Sequence, residues 1–157
     1  MPKITAIIHA CNDAQRLPRV IESLRSCDEV LVVNHGSEDN TEAVARDHGA
    51  KVKEAILGVE DGAYAVDAAH DWVFCLQPSE SLSESLEASL LEWKRNDPHD
   101  AVIGFRVEIR EQNGDGWHSL GEEMRLVNRK RLNWTGTLPP NASNAEHLSG
   151  DVLRFTS

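Results

Sequence analysis

CDEVLVVNHGSEDNTEAVARDHGAKV, residues 27–52, decides the fold. Glu29 to Val33 is a β-branched run that predicts a strand, and it ends in the polar loop Asn34 to Asn40. Residues 40–48 then read as a helix stopped by Gly49, and Lys51 to Glu54 as a third strand. Strand, helix and strand within so few residues predict a parallel pair joined by a right-handed crossover. The same pattern extends on both sides. Residues 3–10 predict a strand, and Leu17, Val20, Ile21 and Leu24 place a helix within 14–26. Pro18 fits only a first helical turn, so the regular helix is expected to start near Leu17. Residues 61–70 predict a small alanine-rich helix that leads into a strand at 71–77. That strand is apolar on both faces from Trp72 to Leu76, as a covered central strand would be.

Further along, Ser81 or Ser83 is expected to cap a helix reaching Arg95, with Leu86, Leu90, Leu91 and Trp93 on its apolar side and Asp97-Pro98 as its stop. The pattern then changes to antiparallel. Residues 101–110 alternate, QNGDGW (112–117) is a hairpin-type connection, and strands are predicted at 123–129 and 131–135. Residues 139–157 read as loop and tail, with a short strand at Val152 to Phe155. The expected class is α/β: a mostly parallel sheet flanked by helices, with antiparallel strands in the C-terminal third. Ligands of such sheets sit beyond the carboxyl ends of the strands. Attention therefore falls on His9 to Asp13, Asn34 to Asn40 and Gln77 to Ser81.

With 16 basic and 26 acidic residues, the chain carries a net charge of −10, which disfavours nucleic acid and anionic membrane surfaces as partners. A second copy of the chain or another protein stays open as a partner. Cys11, Cys27 and Cys75 are sparse, odd in number and without a CxxC pair, so reduced thiols and a cytoplasmic setting are expected. No signal peptide is expected at the N-terminus, and no apolar run approaches the roughly 20 residues of a membrane span.

Four stretches carry a resemblance: residues 4–24, 27–52, 71–86 (DWVFCLQPSESLSESL) and 124–136 (MRLVNRKRLNWTG). Together they resemble family 2 glycosyltransferases of the GT-A fold, especially the bacterial branch related to lipopolysaccharide core glucosyltransferases. The resemblance implies a single domain over 1–157, with a nucleotide-binding half at about 1–97, a mixed-strand acceptor-side half at about 98–140 and a tail at 141–157. It further implies a nucleotide sugar, a UDP-sugar first, bound by Asn12, Asp13, Asn34, Asp39, Gln77, Ser79 and Glu80. Asn34 stands where the family usually has a base-contacting Asp, and Ser37 is a candidate cap for the following helix.

The family's paired metal-binding carboxylates are replaced by Gln77 and Ser79. An amide and a hydroxyl are weak ligands for a hard cation, so neither Mg2+ nor Mn2+ is expected there and no metal ligand is assigned. Glu122 and Glu123 are the candidate acceptor bases, against the plainer reading of an acidic pair on a strand edge. Arg125 and Arg129, in a cluster with Lys130 and Arg131, are candidates for the phosphates, against the plainer reading of a solvated strand end. A cation held by His9, His35 and Cys11 has no ligand spacing behind it. Two readings follow: a transferase that works without a conventional metal motif, or a GT-A fold that has lost catalysis and binds nucleotide or protein.

Overall fold

The computed structural model describes residues 2–96 and 101–156. Its strands are β1 (Ile4–Ala10), β2 (Glu29–Asn34), β3 (Lys51–Glu54), β4 (Trp72–Leu76), β5 (Glu80–Leu82), β6 (Gly104–Asn113), β7 (Gly116–Asn128) and β8 (Ala145–Arg154). They form one eight-stranded sheet in the order β3-β2-β1-β4-β7-β6-β8-β5. The β3-β2-β1-β4 half is parallel throughout, as the alternation of strand and helix predicts. Beyond β4 the pairings of β7 with β4 and β6, and of β5 with β8, are antiparallel, while β8 runs parallel to β6.

Alternate residues of β1 and β4 feed two cores, because successive strand side chains point to opposite faces. Ile4, Ala6, Ile8, Phe74 and Leu76 pack with the α-helices α1 (Leu17–Glu22), α2 (Thr41–Asp47) and α3 (Glu84–Arg95). Leu17, Val20, Ala45, Leu86, Leu90 and Trp93 are the helix side of that core. Trp72, Trp93 and Phe105 close its end, with the Trp72 and Trp93 rings edge to face at 5.1 Å. Ile7, Val33, Val73, Cys75 and Val127 face the other way, against Tyr64 and Ala65 of a 3-10 helix, Asp61–Asp67. At α3, Ser83 is the cap, its Oγ accepting from the Leu86 amide at 3.1 Å. The Asp97-Pro98 stop lies outside the described residues.

Several elements depart from the sequence-based expectation. The first helix covers Leu17–Glu22 rather than 14–26, though it starts where Pro18 requires. The segment expected to be an α-helix at 61–70 is a 3-10 helix because it is clamped from outside. A Cβ on Gly62 would lie 1.8 Å from the Trp134 carbonyl oxygen, and the Gly62 amide donates to the Thr135 carbonyl at 3.2 Å. The same clamp explains why 131–135 is not a strand. Leu132 and Trp134 alternate in sequence but pack as a loop over the second core.

The short strand expected at Val152 to Phe155 is the end of the ten-residue β8, lodged between β6 and β5, whereas residues 145–151 read from sequence as loop. The polar residues and Gly150 of 145–151 hide that part of the strand from pattern reading. Gly150 has φ +102, and a Cβ there would meet the Leu86 amide nitrogen at 2.4 Å. Only glycine lets this strand cross the start of α3 so closely.

Candidate functional site

The loops after β1 and β2 are sewn to each other. Asn12, in the left-handed region at φ 56, gives its amide to Ser37 Oγ at 3.0 Å and accepts from the Glu38 amide at 2.8 Å. The Asp13 amide donates to Thr41 Oγ1 at 3.0 Å, and the Ala14 amide to Asp39 Oδ2 at 3.3 Å. Asp39 also caps its own turn through Thr41, and these hydrogen bonds hold its carboxyl below the usual range. Asp13 accepts from the Cys11 amide at 2.8 Å and pairs with Arg16 at 3.3 Å. Ser37 does not cap α2. It bonds instead to Asn34 Oδ1. Asn34 is 5% exposed and gives its amide to Glu54 at 3.0 Å, so its side chain is committed inside the fold. The motif residues Asn12, Asp13, Ser37 and Asp39 thus fix the shape of the rim, whatever else they touch.

The third loop is tied down by a buried ion cluster. Glu80 and Arg125 are both fully buried and form a bidentate pair at 2.8 and 2.9 Å. Arg154 of β8 reaches the same carboxylate at 3.0 Å, and the Gln77 amide donates to it at 2.9 Å. Arg125 also donates to the Cys75 carbonyl at 3.1 Å and to Glu123 at 3.0 Å. Burial pushes the Glu80 carboxyl up, but the hydrogen bonds and charge of Arg125 outweigh it and leave the group below its ordinary value. Two sequence-based assignments are corrected here. Glu80 does not face the cleft, and Arg125 has no free edge to offer a phosphate, because each completes the other in the interior.

The remaining candidates are dispersed. Arg129 donates to the His70 carbonyl at 3.1 Å and lies 3.6 Å from Asp71. Both partners precede β4, at the opposite end of the strand from Gln77, so Arg129 is away from the rim. Lys130 pairs with Asp71 as well, and Arg131 donates to the Val102 carbonyl. Glu122 pairs with His147 on β8, whereas Glu123 pairs with Arg125.

Gln77 and Ser79 do reach the rim, where they line a cavity of about 360 Å³ with His9, Cys11, Asp13, Arg16, His35, Asp61 and Thr137. A hard divalent cation of the kind the resemblance implies does not fit the side chains of this third loop. Gln77 and Ser79 are neutral, and the one carboxylate of the loop itself, Glu80, is spent on two arginines. A second cavity, about 530 Å³, adjoins along Cys11, Asn12, Asp13, Asp39, Arg16 and Arg19. Arg16 borders both cavities. Arg19 stacks on Phe155 at 3.8 Å, and its buried Nε has no hydrogen-bond partner among the described residues. Burial, then the charge of Arg16, hold the Arg19 guanidinium below its ordinary value.

No motif in the sequence marks these two cations, since Arg16 precedes and Arg19 lies within a helix recognisable only by its apolar spacing. Sequence reading also missed Asp61. That residue reaches the rim only because the 3-10 helix folds back over β1 and β2, and Thr137 Oγ1 donates to its Oδ2 at 2.8 Å. Asp61 Oδ1 lies 3.9 Å from His35 Nε2, which is itself 2.8 Å from His9 Nδ1. Cys11, the third partner weighed from sequence, is exposed on the cavity wall and does not join that group. Burial pushes the His9 imidazole down to about 4, Asp61 pulls it up less strongly, and His35 adds to the fall.

Residues 5–148 match the family model described as Glycosyl transferase family 2. The chain belongs to that family. Among curated relatives, a Rickettsia felis protein described as an uncharacterized glycosyltransferase is 27% identical over 161 residues, which cover 97% of this chain and 57% of the relative. This family 2 chain therefore spans little more than half the length of the curated relatives it matches. Two solved structures share its fold. One, described as a mycobacterial protein, superposes with a TM-score of 0.61 at 17% identity over 98% of this chain and 65% of its own. The other is glucosyl-3-phosphoglycerate synthase from Mycobacterium tuberculosis in complex with Mn2+ and UDP-glucose, with a TM-score of 0.57 at 17% identity over 87% and 61%. No helix among the described residues is long and apolar enough to cross a membrane.

Proposed function

We propose that this family 2 domain binds a nucleoside diphosphate sugar, a UDP-sugar first, across the rim formed by the loops after β1, β2 and β4. The diphosphate charge is met by Arg16 and Arg19 in place of a hard cation at Gln77 and Ser79. The observation that carries this reading is the pairing of two cavities along Arg16 with a third loop whose own carboxylate, Glu80, is buried and spent. Guanidinium groups suit this task because they present several donors in a plane and keep their charge. Where transfer occurs, the same contacts offset the charge that builds on the departing diphosphate. Three free cysteines suit a reducing compartment, and the cytoplasm is the setting we propose.

A second reading, donor binding without transfer, is favoured by one specific observation. Glu122 and Glu123 are engaged by His147 and Arg125, and neither lines the cavity that Gln77 and Ser79 share. Calorimetry of UDP and UDP-glucose in the presence of chelator tests the binding, and UDP release in the presence of hydroxyl acceptors separates the readings. Arg16→Gln is expected to weaken UDP binding about ten-fold, the loss of roughly one charge-assisted hydrogen bond. Unchanged affinity in that variant would remove Arg16 from the site. Binding with release supports a transferase, and binding without release supports the second reading.

A further inference from the structure

We propose that His9 Nδ1, His35 Nε2 and Asp61 Oδ1 form a site for a divalent transition metal of the zinc class, with a remaining coordination position open to the cleft. The three side chains come from the end of β1, the residue after β2 and the first residue of the 3-10 helix. Although 26 residues separate each from the next, their ligand atoms all lie within 4.8 Å of one another. Ligands around a tetrahedral zinc ion with bonds of about 2.0–2.2 Å are spaced about 3.3 Å apart. The observed separations of 2.8 Å between the imidazole nitrogens and 3.9 Å between His35 and Asp61 bracket that value, so small side-chain shifts close the site.

The plainer account is one shared proton between two imidazoles. It explains the 2.8 Å contact, and the Thr137 hydrogen bond explains where Asp61 sits, but it gives no role to Asp61 Oδ1, 3.9 Å from His35 Nε2 and beyond hydrogen-bond reach. A cation at the centre of the three atoms accounts for all of them.

The surroundings are those of a built site. Thr137 Oγ1 holds the far oxygen of Asp61 at 2.8 Å, which leaves the near one to bind. Tyr64, 3% exposed, sets its ring edge against both imidazoles, with centroids 6.0 and 6.5 Å away. Its hydroxyl accepts from the Ile56 amide at 2.7 Å, so the buttress is itself anchored. Two imidazoles and one carboxylate select Zn2+, Co2+ or Fe2+ over Mg2+, which keeps to oxygen ligands. This chemistry differs from that of the hard cation the third loop cannot hold. The fourth ligand faces the cavity shared with Arg16 and Gln77, where water or an anionic oxygen would complete the shell.

The test needs no nucleotide and so stands or falls apart from the proposed function. The full chain, stripped with chelator and dialysed, is titrated with Zn2+ by calorimetry and loaded with Co2+ for visible spectroscopy. The expected results are one Zn2+ per chain, intense Co2+ bands of a four- or five-coordinate site and no competition from Mg2+. His35→Gln and Asp61→Asn, at positions about a third exposed and tolerant of change, should each weaken Zn2+ ten-fold or more while keeping the circular dichroism of the parent. Cys11→Ser and His48→Asn should leave Zn2+ binding as it is. Absence of Zn2+ binding overturns the site, as does binding untouched by both ligand substitutions or lost in Cys11→Ser.

Discussion

Removing the carboxylate of Glu80 would leave Arg125 in the interior with Glu123 as its remaining charged partner, and Arg154 with no anion at that point. Breaking a buried ion pair from one side costs about 3–5 kcal/mol, so Glu80→Gln should lower the melting temperature by roughly 6–20 °C in a chain of this size. Thermal denaturation monitored by circular dichroism reads this directly, and an unchanged midpoint would mean the pair is not closed. The pH dependence follows from the sign of the shift. The Glu80 carboxyl lies below its ordinary value when folded, so its contribution is complete above the unfolded carboxylate range. It is lost as pH falls through the lower folded value. Melting temperature should therefore drop on acidification below about pH 4.3, and less steeply in Glu80→Gln than in the parent. At this scale the sequence was half legible. Met124-Arg125-Leu126 looks like an alternating strand with an arginine toward water. Arg125 turns inward only because β4 on one flank and the Glu80 and Arg154 side chains above it seal that position.

Among the elements, the third loop and the 3-10 helix carry the functional argument. The Gln77 amide is pinned by Glu80, so the backbone that would present a metal-binding pair is already held. Gln77→Asp combined with Ser79→Asp should therefore create Mg2+-dependent UDP affinity, a gain of ten-fold or more when Mg2+ is added, measured by calorimetry. No gain would show that the loop has moved as well as changed its side chains. Gly62→Ala tests the other element. Its Cβ would press on the Trp134 carbonyl, and overpacking of this kind costs about 1–3 kcal/mol. The expected result is a lower melting temperature and weaker Zn2+ binding, because Asp61 is the neighbouring residue. Elements set by local chemistry were readable, such as the Ser83 cap and the start of α1 at Pro18. The three-residue β5 and the 3-10 helix were not, since their geometry comes from distant chain, Arg154 in one case and Trp134 in the other.

For the molecule as a whole, β1, β2 and β3 of the parallel half were legible because their crossovers join strands that are close in sequence, as residues 27–52 show. β4 was legible as a central strand from its apolar run Trp72 to Leu76, although its partner β1 is distant in the chain. The other half depends on β8, which pairs with β6 and β5 and brings Leu148, Val152 and Arg154 to the interior and the ion cluster. Truncation after Asn144 should consequently abolish cooperative thermal unfolding, and a truncated chain with a sharp transition would show β8 to be dispensable. The same closure buries Glu80 and keeps its carboxylate from the rim, which links the fold to the central functional claim. That claim is tested most directly by titrating UDP into the intact chain twice, once in chelator and once in Mg2+. The account predicts saturable binding with the same affinity in both buffers. Binding that appears only with Mg2+ would contradict it.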